Sequence, residues 1–136
     1  MRYLLDVSAL VAFAVVQHEF RARTADWVGS LASSGDSELL TCSITELGFV
    51  RVVAHVSQYG MTLADAQALL LQIKRESPVR FAFLPDDHDI SQLPSWVRTA
   101  GQITDGHLAK LASAHNGVLA TLDTRIPGAL LIPAAI

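Results

Sequence analysis

Four carboxylates stand where a predicted strand ends or a predicted helix begins. Asp6 and Asp123 directly follow short apolar runs, whereas Glu46 and Asp105 fall in the first turns of helical patterns. In an open parallel sheet the ligand crevice lies beyond the carboxyl ends of the strands, and the helices that follow strands begin at that same edge. We therefore expect the four side chains to converge at one edge of a sheet.

A cluster of this kind is expected to require a cation. Two carboxylates about 5 Å apart repel by roughly 3 kcal/mol at an effective dielectric of about 20. The five histidines show no zinc-site spacing, and oxygen ligands without such partners favour Mg²⁺ or Mn²⁺. These ions support attack of water on a phosphodiester, because they lower the pKa of the water and neutralise charge on the leaving oxygen. The predicted chemistry is metal-dependent phosphodiester hydrolysis.

Each acid taken alone also has a purely structural explanation. Asp6 would cap a helix, and Glu46 would complete a capping box with Ser43. Asp105 would favour a helix N-terminus, and Asp123 would serve a turn. For any single acid the structural explanation is the commoner one, so only the joint placement of all four favours a functional site.

Alternating strands and helices are predicted to position these acids. The predicted strands cover residues 3–5, 38–41, 79–84, 118–122 and 129–132. The predicted helices cover residues 7–16, 18–33, 43–58, 62–76 and 105–115. Thr104 is the expected N-cap of the last helix, and Asn116-Gly117 supplies the left-handed residue that ends it. Because no hairpin signals separate the strands, we expect parallel crossovers and an α/β sheet with helices on both faces.

Length and hydropathy indicate one domain and no membrane span. A chain of 136 residues with 51% hydrophobic residues is large enough to bury one core. The mean hydropathy is +0.36, yet no apolar run reaches the roughly 18 residues that a spanning helix needs. The apolar N-terminal stretch is interrupted by Asp6 and has no small-residue cleavage site, so it does not predict a signal peptide.

The net charge and the cysteine content limit the kinds of function and the cell compartment that this chain is expected to have. A net charge of -3 and a pI near 5.9 argue against binding of nucleic acid by bulk charge. A nuclease remains compatible, because bound divalent ions reverse the local sign where a phosphate approaches. Cys42 is the single cysteine, which predicts a buried structural thiol in a cytoplasmic protein.

Four motifs together resemble those of PIN-domain ribonucleases, specifically the VapC-type toxins of bacterial toxin-antitoxin pairs. The motifs are LLDVSAL, SITELGFVR, TDGHLAKLA and VLATLD, and they span essentially the whole chain in the family's order and spacing. The resemblance implies a parallel sheet with strand order 3-2-1-4-5 between helices. The residues that it marks as metal-binding acids are Asp6, Glu46, Asp105 and Asp123. It also matches Ser8 to a small polar residue beside the first acid and Thr121 to a supporting hydroxyl.

The resemblance implies an activity and two kinds of partner. The activity would be Mg²⁺- or Mn²⁺-dependent endonucleolytic cleavage of RNA, commonly tRNA or ribosomal RNA. A cognate VapB-type antitoxin would block the site with a C-terminal segment, and the toxin would form a homodimer. From the sequence itself, Arg125 is the most attractive candidate for a contact with the RNA backbone, because it closely follows Asp123.

Two other functions are compatible with the same acids. A phosphatase or phosphotransferase would use Asp6 as its nucleophile, but the second aspartate expected two residues later is Ser8. A non-catalytic module would use the acids only to dock a basic partner. Outside the acid set, we predict a solvated turn at Asp86-Asp87-His88-Asp89. We expect His107 to face solvent from its helix rather than to form a contact at the rim of the acidic groove.

Overall fold

The computed structural model describes residues 1–134. Five parallel strands form one sheet in the order β3-β2-β1-β4-β5. The strands are β1 Arg2–Leu5, β2 Glu38–Cys42, β3 Phe81–Leu84, β4 Val118–Thr121 and β5 Leu130–Leu131. The predicted strand order 3-2-1-4-5 is confirmed.

Five α-helices cover the two faces of the sheet. They are α1 Val7–Ala14, α2 Arg21–Ser34, α3 Ser43–His55, α4 Leu63–Glu76 and α5 Ile103–Ala114. The first four helices share one apolar cluster with the sheet, whereas α5 packs into a second cluster with Leu4, Leu40 and Leu119. The predicted three-layer α/β architecture is therefore confirmed. Within residues 1–134 no helix is long and apolar enough to cross a membrane.

The central strand β1 is apolar on both sides because both faces of the sheet are covered. Leu4 pairs in register with Leu40 on one side and with Leu119 on the other, and all three are buried. Leu5 belongs to the opposite cluster, beside α1 and α2. This double burial explains why the strand is a continuous hydrophobic run rather than an alternating pattern.

Two predicted helix caps are wrong by one or two residues. The N-cap of α5 is Gln102 rather than Thr104, because a 3₁₀ turn at Ala100–Gln102 leads directly into the helix. The N-cap of α3 is Cys42 rather than Ser43, and its N–H donates to Thr45 Oγ1 at 3.0 Å. The expected capping box of Ser43 with Glu46 is therefore absent, which leaves the Glu46 carboxylate available for other contacts.

Several boundaries also move inwards. The first helix ends at Ala14 instead of residue 16, the second begins at Arg21 instead of residue 18, the third ends at His55 instead of residue 58, and the third strand begins at Phe81 instead of residue 79. The left-handed residue after α5 is Asn116, with φ 58°. Cys42 is buried as predicted.

Gly106 lets the segment before α5 pack against the helix that carries Asp105. A Cβ added at Gly106 would lie 2.2 Å from Cγ2 of Val97. Real side chains do not approach so closely, so one of the two must move if Gly106 is enlarged. The glycine therefore sets the distance between α5 and its preceding loop.

We expect Gly106→Ala to lower the free energy of unfolding by about 1–3 kcal/mol, because the new methyl group overpacks against Val97. Gly29→Ala in α2 is the matched control, since a methyl group added there would have no atom within 4 Å. The control is expected to gain roughly 0.5–1 kcal/mol from helix propensity. Urea unfolding measures both, and equal shifts in the same direction would contradict the packing argument.

Candidate active site

Asp6 serves as a helix cap and as a site residue at the same time. Its Oδ1 accepts the Ala9 N–H at 2.8 Å, and its Oδ2 accepts the Thr121 hydroxyl at 2.5 Å. The residue is only 7% exposed. Burial raises the pKa of Asp6, the two hydrogen bonds partly offset that rise, and the charges of Asp105 and Asp123 add to it.

Asp105 and Asp123 complete a group of three aspartates at the carboxyl edge of β1 and β4. Partial burial raises the pKa of Asp105, and the Asp123 charge raises it further. The Asp123 N–H donates to Thr121 Oγ1 at 3.0 Å. Thr121 therefore joins Asp6 to Asp123 through one buried hydroxyl, and the supporting role predicted for it fits this position.

Arg125 forms a forked pair with Asp123. Its Nε lies 3.0 Å from Oδ1 and its Nη2 lies 2.9 Å from Oδ2, while its backbone N–H also donates to Oδ1 at 2.9 Å. These hydrogen bonds hold the pKa of Asp123 below its ordinary value. The Arg125 side chain is 85% exposed, so the pair is screened by water and can be exchanged for another partner.

Glu46 reaches the same edge of the sheet from α3, but it has its own cation. Its Oε2 accepts the Thr41 hydroxyl at 2.6 Å and lies 2.5 Å from Lys74 Nζ. The carboxylates whose charges raise the pKa of Asp6 are Asp105 and Asp123. The structure thus brings three of the predicted acids into mutual repulsion and holds Glu46 in a pair with Lys74.

Asp123 lies at the boundary between two hollows. One hollow, of about 360 Å³, is lined by Asp105, Arg125 and Trp96 as well as by Asp123 itself. The other, of about 240 Å³, is lined by an exposed Ser8 together with His18, Glu19, Phe20, Leu122 and Asp123. Ser8 therefore faces the site from the side of α1, without a hydrogen bond to the acids among residues 1–134.

His107 contacts the loop after β3 instead of facing solvent. Its Nε2 lies 2.5 Å from Asp86 Oδ2, and both side chains are mostly buried. Burial alone would raise the pKa of Asp86, but the hydrogen bonds from His107 and from the His88 N–H lower it overall. Asp86 as a whole residue is exposed, in agreement with the solvated turn predicted for the Asp86-Asp87-His88-Asp89 stretch, but its carboxylate also pairs with His107.

Lys74 and Asp86 are the two site neighbours that the sequence did not reveal. Lys74 lies 28 residues after Glu46, and Asp86 lies 21 residues before His107. Neither spacing follows a helical or strand repeat, so no local signal in the sequence marks these pairs. They arise from the packing of α4 against α3 and of the β3 loop against α5.

The donor set fits a hydrated hard cation. Within residues 1–134 no three His, Cys, Asp or Glu side chains are grouped closely enough to enclose a metal ion. Mg²⁺ keeps several waters and usually takes one or two carboxylates, so it does not need such an enclosure. The crowded carboxylates of Asp6, Asp105 and Asp123 suit Mg²⁺ or Mn²⁺ and offer no histidine or thiolate for zinc.

The PIN domain family model matches residues 3–129. This chain therefore belongs to the PIN-domain family. Two curated relatives from Mycobacterium tuberculosis strain H37Rv show which branch of that family this chain resembles. Ribonuclease VapC29 is 33% identical over 129 residues, which cover 91% of this chain and 87% of that protein. Ribonuclease VapC38 is 36% identical over 127 residues, covering 90% and 86% respectively. The chain is a member of the VapC family, and the predicted resemblance is confirmed.

A solved structure agrees at the level of the fold. The similar structure is a chain of VapBC2 from Rickettsia felis, crystallised with a DNA fragment from the promoter of VapBC2. Its TM-score with this chain is 0.60. The match covers 96% of both chains at 17% sequence identity. It therefore supports the three-layer architecture.

We expect Thr121→Val to lower the free energy of unfolding by about 1–3 kcal/mol, because Asp6 Oδ2 and the Asp123 N–H each lose a hydrogen-bond partner. Thr121→Ser keeps the hydroxyl and is expected to retain most of that stability. Urea unfolding of the metal-free protein measures the difference. Equal stability of the valine variant and the wild type would show that the hydroxyl does not stabilise the fold.

We expect Asp105→Asn to stabilise the metal-free protein at neutral pH. Burial and the Asp123 charge raise the pKa of Asp105 in the folded state, so the folded state takes up its proton more readily than the unfolded chain. The wild type therefore loses stability as the pH rises through the folded pKa, and the asparagine variant does not. The gain should disappear below the ordinary value of 3.8, where Asp105 is protonated in both states.

Thermal melts of both proteins across that pH range measure the difference. Asp89→Asn is the control of opposite sign, because hydrogen bonds from Ser91 lower the pKa of Asp89 and favour its charged form in the folded state. A variant at Asp105 that is less stable than the wild type at neutral pH would contradict the proposed crowding of charge.

Proposed function

We propose that this chain is a toxin endoribonuclease that hydrolyses RNA phosphodiester bonds with the help of Mg²⁺ or Mn²⁺. Its acidic site consists of Asp6, Glu46, Asp105 and Asp123. The observation that carries the proposal is the convergence of three aspartates at the carboxyl edge of the sheet: the Thr121 hydroxyl joins Asp6 to Asp123, and Asp105 lines the same hollow as Asp123. Curated relatives that are named ribonucleases support the choice of RNA as substrate.

Asp6, Asp105 and Asp123 are the residues that would hold the ion. Bound there, Mg²⁺ or Mn²⁺ lowers the pKa of the attacking water and neutralises the leaving oxygen. Asp6 is fixed in direction by the Ala9 N–H and the Thr121 hydroxyl, which leaves little freedom for its carboxylate. Pre-oriented groups of this kind contribute to catalysis because they do not have to reorganise during the reaction.

The Arg125 guanidinium, which binds the Asp123 carboxylate, could bind an RNA phosphate in its place. Its fork is paired with Asp123 and largely exposed, and a guanidinium binds phosphate in the same bidentate geometry as carboxylate. If Asp123 were to hold a cation, the Arg125 guanidinium would be free to contact an RNA phosphate close by. This would bring the substrate backbone to the aspartates.

The two hollows beside Asp123 suit an unpaired RNA strand. Trp96 lines the larger hollow and Phe20 the smaller one, and aromatic rings stack with bases of any sequence. A backbone that crosses at Asp123 would place one base on each side. Single-stranded loops of tRNA or ribosomal RNA present unstacked bases in this way.

An apolar hollow next to Glu46 supports the proposed antitoxin partner. It has a volume of about 370 Å³ and includes the exposed side chains of Leu47, Leu63 and Leu71. We propose that a VapB-type antitoxin covers this surface and the acidic site together, and that the toxin itself forms a homodimer in the cytoplasm. Apolar surface beside acidic groups suits a segment with both hydrophobic and basic side chains.

An aspartate-nucleophile phosphatase is disfavoured by the sequence around Asp6. Such an enzyme would need a second aspartate two residues after the nucleophile, and that position is Ser8. The non-catalytic binding module remains a defined outcome of the experiment below.

We expect the purified chain to cleave tRNA or ribosomal RNA fragments with Mg²⁺ or Mn²⁺, and EDTA to abolish the cleavage. Asp6→Asn and Asp105→Asn are each expected to reduce the rate by at least about 100-fold, because each removes charge that stabilises the bound cation. Asp87→Asn is the matched control, since Asp87 is an exposed carboxylate outside the site.

Cleavage that persists in EDTA or in both site variants would contradict the metal-carboxylate mechanism. If no substrate is cleaved and neither ion changes the melting temperature, the binding module replaces the nuclease as the function of the acids.

A further inference from the structure

Lys74 is enclosed by groups that fix its ammonium on Glu46. Its Nζ lies 2.5 Å from Glu46 Oε2 and 5.7 Å from the centroid of the Phe83 ring. The side chains of Lys74 and Glu46 are only 22% and 24% exposed. Because the pair is shielded from water and the aromatic face adds a cation–π contact, this lysine is more firmly held than a surface lysine.

Glu46 is in turn oriented from β2. Thr41 is fully buried, and its hydroxyl donates to the same Oε2 that Lys74 contacts. Three elements thus meet at one carboxylate oxygen: β2 through Thr41, α3 through Glu46 and α4 through Lys74. The direction of the carboxylate is set by the fold itself, without any ligand.

The charge of the site is partly balanced by the chain. Four carboxylates are proposed for the site, and Lys74 on Glu46 is the pair that a bound ion need not displace, whereas Arg125 on Asp123 is exposed. With Glu46 neutralised by Lys74, the three aspartates are left to share one divalent ion. The two ion pairs differ in how easily water or a ligand can displace the cation. Arg125 is largely exposed, whereas Lys74 is mostly buried.

We propose that Lys74 is a positioning residue of the acidic site and acts there in place of a second divalent ion. It neutralises Glu46 and holds its carboxylate in direction, so that the site takes up one ion, at Asp6, Asp105 and Asp123. This inference rests on the proposed metal-dependent function and adds the ion count to it. It also predicts that loss of the ammonium opens Glu46 to a second ion.

The test is Mn²⁺ binding to the whole chain without RNA, measured by the electron paramagnetic resonance of free Mn²⁺. Wild type is expected to bind about one ion per chain, and Lys74→Met about two, because the uncharged variant leaves Glu46 without a counter-ion. Lys74→Arg keeps the charge and is expected to bind about one ion. Lys110→Met removes an exposed lysine on α5 and serves as the matched control.

If Lys74→Met does not fold, a Glu46→Gln variant tests the same proposal. With Lys74 as its partner, Glu46 does not hold the single ion, so the glutamine variant is expected to bind about one Mn²⁺ with little change in affinity. Binding of two ions by wild type, or of one by a folded Lys74→Met, would overturn the role of Lys74 and leave the nuclease proposal intact. No binding by wild type would overturn both.

Discussion

The parallel pairing of β1 with β4 is the constraint on which the acidic site depends, because it fixes Asp6 beside the residues that follow β4. The parallel register places Leu5 beside Ala120, and the Asp6 N–H continues the ladder by donating to Ala120 O at 3.1 Å. Asp6 is therefore held near Asp123, which lies two residues after the end of β4 and shares the Thr121 hydroxyl with Asp6. Asp105 is held close by from α5, and the three charges raise the pKa of the two more buried members. A site that opposes folding in this way must be supported by the rest of the fold.

That support comes from contacts that build secondary structure and orient the acids together. The Ala9 N–H bond both starts α1 and fixes Asp6, and the Thr121 hydroxyl satisfies one oxygen of Asp6 and the N–H of Asp123. Behind these polar contacts, Leu4 and Leu5 are fully buried in the clusters on opposite faces of the sheet. Burial of such side chains contributes roughly 1.5–3 kcal/mol each, which offsets the cost of crowded charge.

The alternation of strands and helices, and the placement of the acids at strand ends and helix starts, follow from local signals in the sequence, whereas the strand order was implied by the resemblance to the PIN-domain family. A buried strand followed at once by an acid and a helix identifies the carboxyl edge, as at Asp6. Helix caps were less predictable: α3 begins after Cys42 and not after Ser43, because the Cys42 N–H is satisfied by the Thr45 hydroxyl. The pairs of Lys74 with Glu46 and of His107 with Asp86 had no local signal, because they depend on how elements far apart in sequence pack.

The two cations of the chain give the acidic site two different kinds of counter-charge. Arg125 follows Asp123 on a loop, so its fork is exposed and the pair can be exchanged, with a cation on Asp123 or an anion on Arg125. Lys74 comes from the last turn of α4 and lies between Glu46 and the Phe83 ring, so removing it would leave a largely buried carboxylate without a counter-charge. The cation that pairs with Asp123 can therefore be exchanged, whereas the cation that pairs with Glu46 is held in place by helix packing. Helix packing between α3 and α4 thus acts on the chemistry of the site, because it decides which carboxylates remain free for a ligand.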